Sequence, residues 1–198
     1  QADLASAGWA STVVHSRAAN RTVYLRRPDF GRRLAPDSAD VLQAGAAGPV
    51  DLAVVLGDGL SAVALQRHAV PVLQALRTAL DGRLTLAPPV IATQARVALG
   101  DEIGALMQAR LVLVLLGERP GLSSPDSLGA YLTHGPRVGC HDAQRNCVSN
   151  IRPEGLPPAV AAQRLAWLAT EALRRRLTGV GLKDDSATAL LAAPGAAP

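Results

Sequence analysis

Apolar positions in this chain alternate between two spacings. Residues 52–56, Leu-Ala-Val-Val-Leu, form an unbroken apolar run that stops at Gly57-Asp58-Gly59. Such a run predicts a strand buried on both faces, as in a parallel sheet. The spacing then lengthens: Val63, Val70, Leu73, Leu76 and Leu80 recur at helical intervals and predict a helix over residues 60–80. Pro71 is expected to kink it or to restart it at a first-turn position, and Asp81-Gly82 closes it. Residues 84–92 contain Pro88-Pro89 and read as an edge or extended segment. A second helix is predicted over about residues 96–108, followed by a second buried strand at 111–116 that ends in Gly117-Glu118-Arg119-Pro120-Gly121. The last clear helix runs from 158 to 177, burying Leu165, Leu168, Ala172 and Trp167, and ends near Gly179 after Arg174-Arg175-Arg176. Cations there face the negative end of the helix dipole.

Strand, loop and helix thus repeat in the order of βαβ units, whose crossovers bury a parallel sheet between helices. The predicted fold class is α/β. Residues 2–8 read as the end of a helix, and Ser11-Thr12-Val13-Val14-His15 as a first strand. Six arginines between Arg17 and Arg33 surround Tyr24, Pro28 and Phe30 in a segment read as irregular. It is either a surface that meets a polar or acidic partner or a solvated loop packed by its two aromatic rings. One domain is expected over residues 1–183, with an Ala-, Pro- and Gly-rich disordered tail over 184–198. The start at Gln1, without methionine, suggests a truncated or cleaved N-terminus.

Composition narrows the function classes. The chain has 198 residues, 48% of them hydrophobic but only 3% aromatic, so Ala, Leu and Val must fill the core. The net charge of +4 comes from arginine, Lys183 being the only lysine. Nucleic-acid binding calls for a denser basic stripe with interleaved aromatics. No apolar run approaches the roughly 20 residues that span a bilayer. Two cysteines, Cys140 and Cys147, are too few for a secreted disulfide framework, and a reducing cytosol is the expected location.

In an open α/β sheet, ligands sit outside the carboxyl ends of the strands, so the loops at 57–59 and 117–121 mark one candidate site. Gly57-Asp58-Gly59-Leu60-Ser61-Ala62 lacks the third glycine of a dinucleotide fingerprint. It reads better as a tight turn at a helix start, with Asp58 as a turn or capping residue. His134, Cys140, His141 and Cys147 fall within fourteen residues, but their spacing matches no common zinc pattern. Cys147 beside Arg145 is either an activated thiol or a small packing residue. Glu118 is either a ligand-binding group or half of a local pair with Arg119. From the residues alone, a nucleotide-binding oxidoreductase and a noncatalytic, zinc-stabilised interaction module remain open.

Several motifs in order carry a resemblance. They are Ser16-Arg17-Ala18-Ala19-Asn20-Arg21 with Tyr24-Leu25-Arg26-Arg27-Pro28-Asp29-Phe30-Gly31-Arg32-Arg33-Leu34; residues 51–61; Gly117-Glu118-Arg119-Pro120-Gly121-Leu122; Gly135-Pro136-Arg137; and Arg145-Asn146-Cys147-Val148-Ser149-Asn150-Ile151-Arg152. From Val14 to Asp185 the chain resembles the small subunits of ethanolamine ammonia-lyases. The resemblance implies a Rossmann-like domain with a mostly parallel sheet flanked by helices, lacking most of the family's N-terminal helical segment. It also implies a hetero-oligomer in which this subunit and a large subunit enclose adenosylcobalamin and convert ethanolamine to acetaldehyde and ammonia by radicals. Catalytic residues would belong to the large subunit, and this chain alone would be inactive. Cofactor-binding positions carry over as Val97 in Ala95-Arg96-Val97-Ala98-Leu99, Glu118, and Cys147 in its Arg-x-Cys stretch. The Asp-x-His-x-x-Gly signature of proteins that supply their own histidine to cobalt is missing, which implies a base-on cofactor and no protein-bound metal. A cytoplasmic enzyme is implied, with enclosure in a bacterial microcompartment left open.

Overall fold

The computed structural model describes residues 1–46, 48–119, 121 and 126–191. One six-stranded sheet organises them: β1 (Thr12–His15), β2 (Val50–Gly57), β3 (Val90–Thr93), β4 (Ala109–Glu118), β5 (Ser127–His134) and β6 (Arg145–Ile151), in the spatial order β1-β3-β2-β4-β5-β6. The fold class is α/β, as expected, but the sheet is mixed. Strands β1, β3, β2 and β4 pair in parallel, whereas β5 runs antiparallel to β4 and β6 antiparallel to β5. The parallel pairing expected of most of the sheet holds from β1 to β4 and gives way to antiparallel pairing in β5 and β6. Residues 119–126, which connect β4 to β5, are fewer than the dozen or so that a parallel crossover needs, so the chain turns back beside its predecessor.

Among the described residues seven α-helices accompany the sheet: α1 (Ala2–Ser6), α2 (Arg21–Arg26), α3 (Pro36–Ala44), α4 (Ala62–Leu80), α5 (Leu99–Leu106), α6 (Pro158–Arg175) and α7 (Ser186–Leu191). Alternation along the strands sorts the core onto the two faces. Leu52, Val54 and Leu56 of β2, with Leu111, Leu113 and Leu115 of β4, point to the side covered by α4 and α6. Val55, Val112, Val114 and Leu116 point to the side covered by α3 and α5. Gly100 and Gly104 let α5 lie close to β4: a Cβ at Gly104 would come within 3.0 Å of the Val112 Cβ and 2.7 Å of the Pro136 ring.

Several local expectations change for identifiable reasons. The arginine-rich segment is ordered rather than irregular, because Asn20 caps α2 by accepting from the Val23 N–H at 3.0 Å, and a 3-10 turn follows at Phe30–Arg32. Strand β3 is interior rather than an edge: Pro88 and Pro89 precede it and remove no donor from its ladder. Helix α4 runs through Pro71 as one element, capped by Ser61 accepting from the Ala64 N–H at 3.2 Å and closed by Asp81 in the left-handed conformation. Helix α6 ends at left-handed Arg176, before Gly179. The segment read as a disordered tail from residue 184 contains α7, whose Ser186 is buried; residues 192–198 lie outside those described. No helix among the described residues is long and apolar enough to cross a membrane.

Candidate functional site

The backbones at the carboxyl ends of β2 and β4 touch. Leu60 N–H donates to the Gly117 carbonyl at 2.7 Å, and a Cβ at Gly117 would overlap the Ser61 carbonyl oxygen, so only glycine permits this approach. Asp58 then ties this junction to β3. Its carboxylate accepts from Gln94 N–H at 2.9 Å and Ala95 N–H at 3.0 Å, which holds the turn that carries Val97 into the start of α5. Asp58 is thus a loop clamp, close to its expected turn role.

Above this junction opens a cavity of about 640 Å³, within the roughly 300–1,000 Å³ range of small-molecule sites. Val97 and Ala98 form one wall, Leu116, Gly117 and Glu118 the floor, and the segment from Val138 to Asp142 the opposite wall. Arg32, Arg33, Arg96 and Arg119 also line it. Arg33 is neutralised by Glu102, at 2.9 and 3.1 Å. Arg96 lies 4.6 Å from the centroid of the Tyr24 ring, as Arg21 does, and Arg21 donates to the Gly59 carbonyl at 2.6 Å. These contacts bind the arginine-rich segment to the cavity rim. The Nε–H of Arg96 is buried with no hydrogen-bond partner, an unsatisfied donor in a side chain that lines the cavity.

Val97 and Glu118, the first two positions carried over from sequence, therefore meet in one cavity. Cys147 does not line it, but lies on the same face of the sheet. Tyr131 of β5 is paired with Cys147 of β6, and its phenol donates a hydrogen bond to the Glu118 carboxylate. The carboxylate lies over Gly129, where a Cβ would come within 2.6 Å of Oε1. Burial, then the hydrogen bond and charge of Glu118, push the Tyr131 pKa far above that of an ordinary phenol. Crowding by neighbouring groups, followed by the Glu118 charge, raises the Cys147 pKa against an opposing hydrogen bond from Tyr131, although the residue keeps an exposed surface. A neutral thiol results, not an activated one. Tyr131 and Gly129 had no place in the sequence reading. Their relation to Glu118 arises from strand register, and the only sequence signal is a lone Tyr in an otherwise aliphatic stretch.

The four candidate zinc residues do different things. His134 N–H donates to Thr178 Oγ1 at 2.9 Å, Cys140 is buried, His141 N–H donates to Gln144 Oε1 at 2.8 Å, Cys147 faces Tyr131, and the described residues contain no cluster of three metal-ligating side chains.

Residues 1–183 match the family model of the ethanolamine ammonia-lyase light chain (EutC). The chain belongs to the ethanolamine ammonia-lyase light-chain family. Among light chains, it is 53% identical over 195 residues to the ethanolamine ammonia-lyase small subunit of Xanthomonas campestris pv. campestris, covering 96% of this chain and 72% of that one. The small subunit from Pseudomonas syringae pv. tomato is 53% identical over 189 residues (93% of this chain, 66% of that one). That from Azotobacter vinelandii is 52% identical over 202 residues (100% and 75%). The glycine junction and the cavity thus lie within the stretch that matches the light-chain family.

Proposed function

We propose that this chain is the small subunit of an adenosylcobalamin-dependent ethanolamine ammonia-lyase and forms one wall of the cofactor site, with a large subunit forming the rest. The observation that carries the reading is the meeting of Val97 and Glu118 in one cavity at the carboxyl ends of the strands. The donor set fits a corrin: Val97, Leu60 and Leu116 offer apolar surface to the ring, Glu118 accepts from amide N–H groups at its rim, and Arg96 leaves a donor for an amide carbonyl. Cys147, beside Tyr131 on the open sheet face, packs against the same ligand from outside the cavity. When bound, the cofactor supplies the radical chemistry that converts ethanolamine to acetaldehyde and ammonia, in the base-on form. This chain's residues bind and orient, and the reacting groups belong to the large subunit, so the chain alone is inactive. The parallel half of the sheet, β1 to β4, is the Rossmann-like part of this proposal, and residues 1–183 act as one cofactor-contacting domain. A cytoplasmic hetero-oligomer completes the reading.

The test is deamination of ethanolamine with adenosylcobalamin by the large subunit alone, this chain alone, and the two combined. Acetaldehyde formed only by the combination supports the proposal. Equal activity with and without this chain contradicts it.

A further inference from the structure

We infer that Tyr131 is a positioning residue that fixes the Glu118 carboxylate for cofactor binding, an inference that rests on the function proposed above. A glutamate at the end of a strand has three rotatable bonds and would ordinarily sample several orientations, an entropy that is lost when a ligand is bound. Two features remove that freedom before binding. Glu118 is opposite Ser127 in the β4/β5 ladder, and Tyr131 is opposite Val114, so the carboxylate must fold back along β4 to meet the phenol. Gly129, opposite Leu116, leaves the sheet surface between them bare, and the carboxylate occupies that space. The single phenol proton goes to Oε1, which leaves the carboxylate with acceptor capacity for a ligand. Cys147, directly across from Tyr131, bounds the ring on the β6 side. The ring packs, partly buried, at the margin of the core that α5 covers, so its hydroxyl reaches the carboxylate from a fixed base.

The experiment uses the complex of this chain with the large subunit and compares four forms: unmutated, Tyr131→Phe, Glu118→Gln, and both together. Adenosylcobalamin binding is measured by equilibrium absorbance titration. Loss of a hydrogen bond to a charged group is expected to raise the Kd about tenfold for Tyr131→Phe when Glu118 is present. The same change made on the Glu118→Gln background is expected to alter Kd by less than about twofold, because the group to be positioned has already gone. A second readout is independent of the cofactor. Only two tyrosines, Tyr24 and Tyr131, are present in the chain. With ¹³Cζ-tyrosine incorporated into this chain only, Glu118→Gln should move one of the two resonances, the one that Tyr131→Phe removes. Equal losses of affinity on both backgrounds, or no loss, would overturn the inference while leaving the proposed function standing. Absence of cofactor binding by the unmutated complex would overturn both.

Discussion

Arg145 of β6 and Asp101 of α5 form a bidentate ion pair, at 2.6 and 2.7 Å, with side chains only 3% and 1% exposed. Arg145 also donates to Thr133 Oγ1 and the Cys140 carbonyl, both at 2.9 Å. The pair joins the helix that follows the Val97 turn to the strand that carries Cys147, and Arg145 itself lines the cavity. Burial works against the Arg145 charge, but hydrogen bonds and attraction from Asp101, helped by Asp142, outweigh it and raise the pKa. Removing one partner leaves a buried charge uncompensated. Asp101→Ala should therefore cost about 3–5 kcal/mol and lower Tm by on the order of 10 °C. The double change Asp101→Leu with Arg145→Met should recover much of that loss, as thermal unfolding would show.

Glu102 supplies a pH dependence of known sign. It accepts from Arg33 and from the Leu34 N–H at 2.9 Å. Burial raises its pKa, but Arg33 and the Leu34 amide together outweigh burial and hold it below the ordinary 4.5. A carboxylate with a depressed folded pKa stabilises fully above its unfolded pKa and loses that contribution as pH falls through the folded value. Stability should decline from about pH 4.5 downward, and less steeply in Glu102→Gln. Urea unfolding across pH 3–7 checks this.

The elements that the sequence made legible share one property, an unbroken or regularly spaced apolar pattern. Residues 52–56 and 111–116 could only be interior strands, and α4 and α6 carry apolar stripes long enough to be unmistakable. Strand β6 escaped notice because one of its faces is open, with Cys147 and Ser149 exposed, and β5 because Ser127, Gly129, Tyr131 and Thr133 interrupt its apolar pattern although the strand is buried along most of its length. The order in residues 17–33 depends on Asn20 and on guanidinium contacts with Tyr24, which arginine content does not foretell. At the site, the two glycine loops located the cavity, whereas Val97 came only through family resemblance, and Glu118 and Cys147, which the residues left between two readings each, were assigned to a cofactor only by it. The link from Tyr131 to Glu118 spans thirteen positions and exists only once β5 has turned back along β4.

Gly129 offers a change that acts on Glu118 without touching it. In Gly129→Ala the new Cβ is rigid, while the carboxylate it meets is the free end of a side chain, so Glu118 must move. Replacing Gly within a strand offsets part of any strain by lowering unfolded-state entropy. Cofactor affinity should fall about as far as in Glu118→Ala, with Tm changed by only a few degrees. Unchanged affinity would show that the carboxylate has another equally good position.

The arginine-rich segment presents an exposed surface beside the cavity, with Arg26 open to solvent and Arg27 stacked 4.1 Å from the Phe30 ring centroid and bridged to Asp29. Arginine and aromatic groups suit an interface anchor. Charge reversal at Arg26 and Arg27 should weaken co-purification with the large subunit and leave the fold intact. Normal assembly would remove this surface from the interface.

The central claim, that this chain supplies a cofactor wall through Glu118, is tested most directly by titrating adenosylcobalamin into the two-subunit complex with and without Glu118→Gln. A Kd raised about tenfold, with the complex still assembled on gel filtration, is the expected result. An unchanged Kd would contradict the claim.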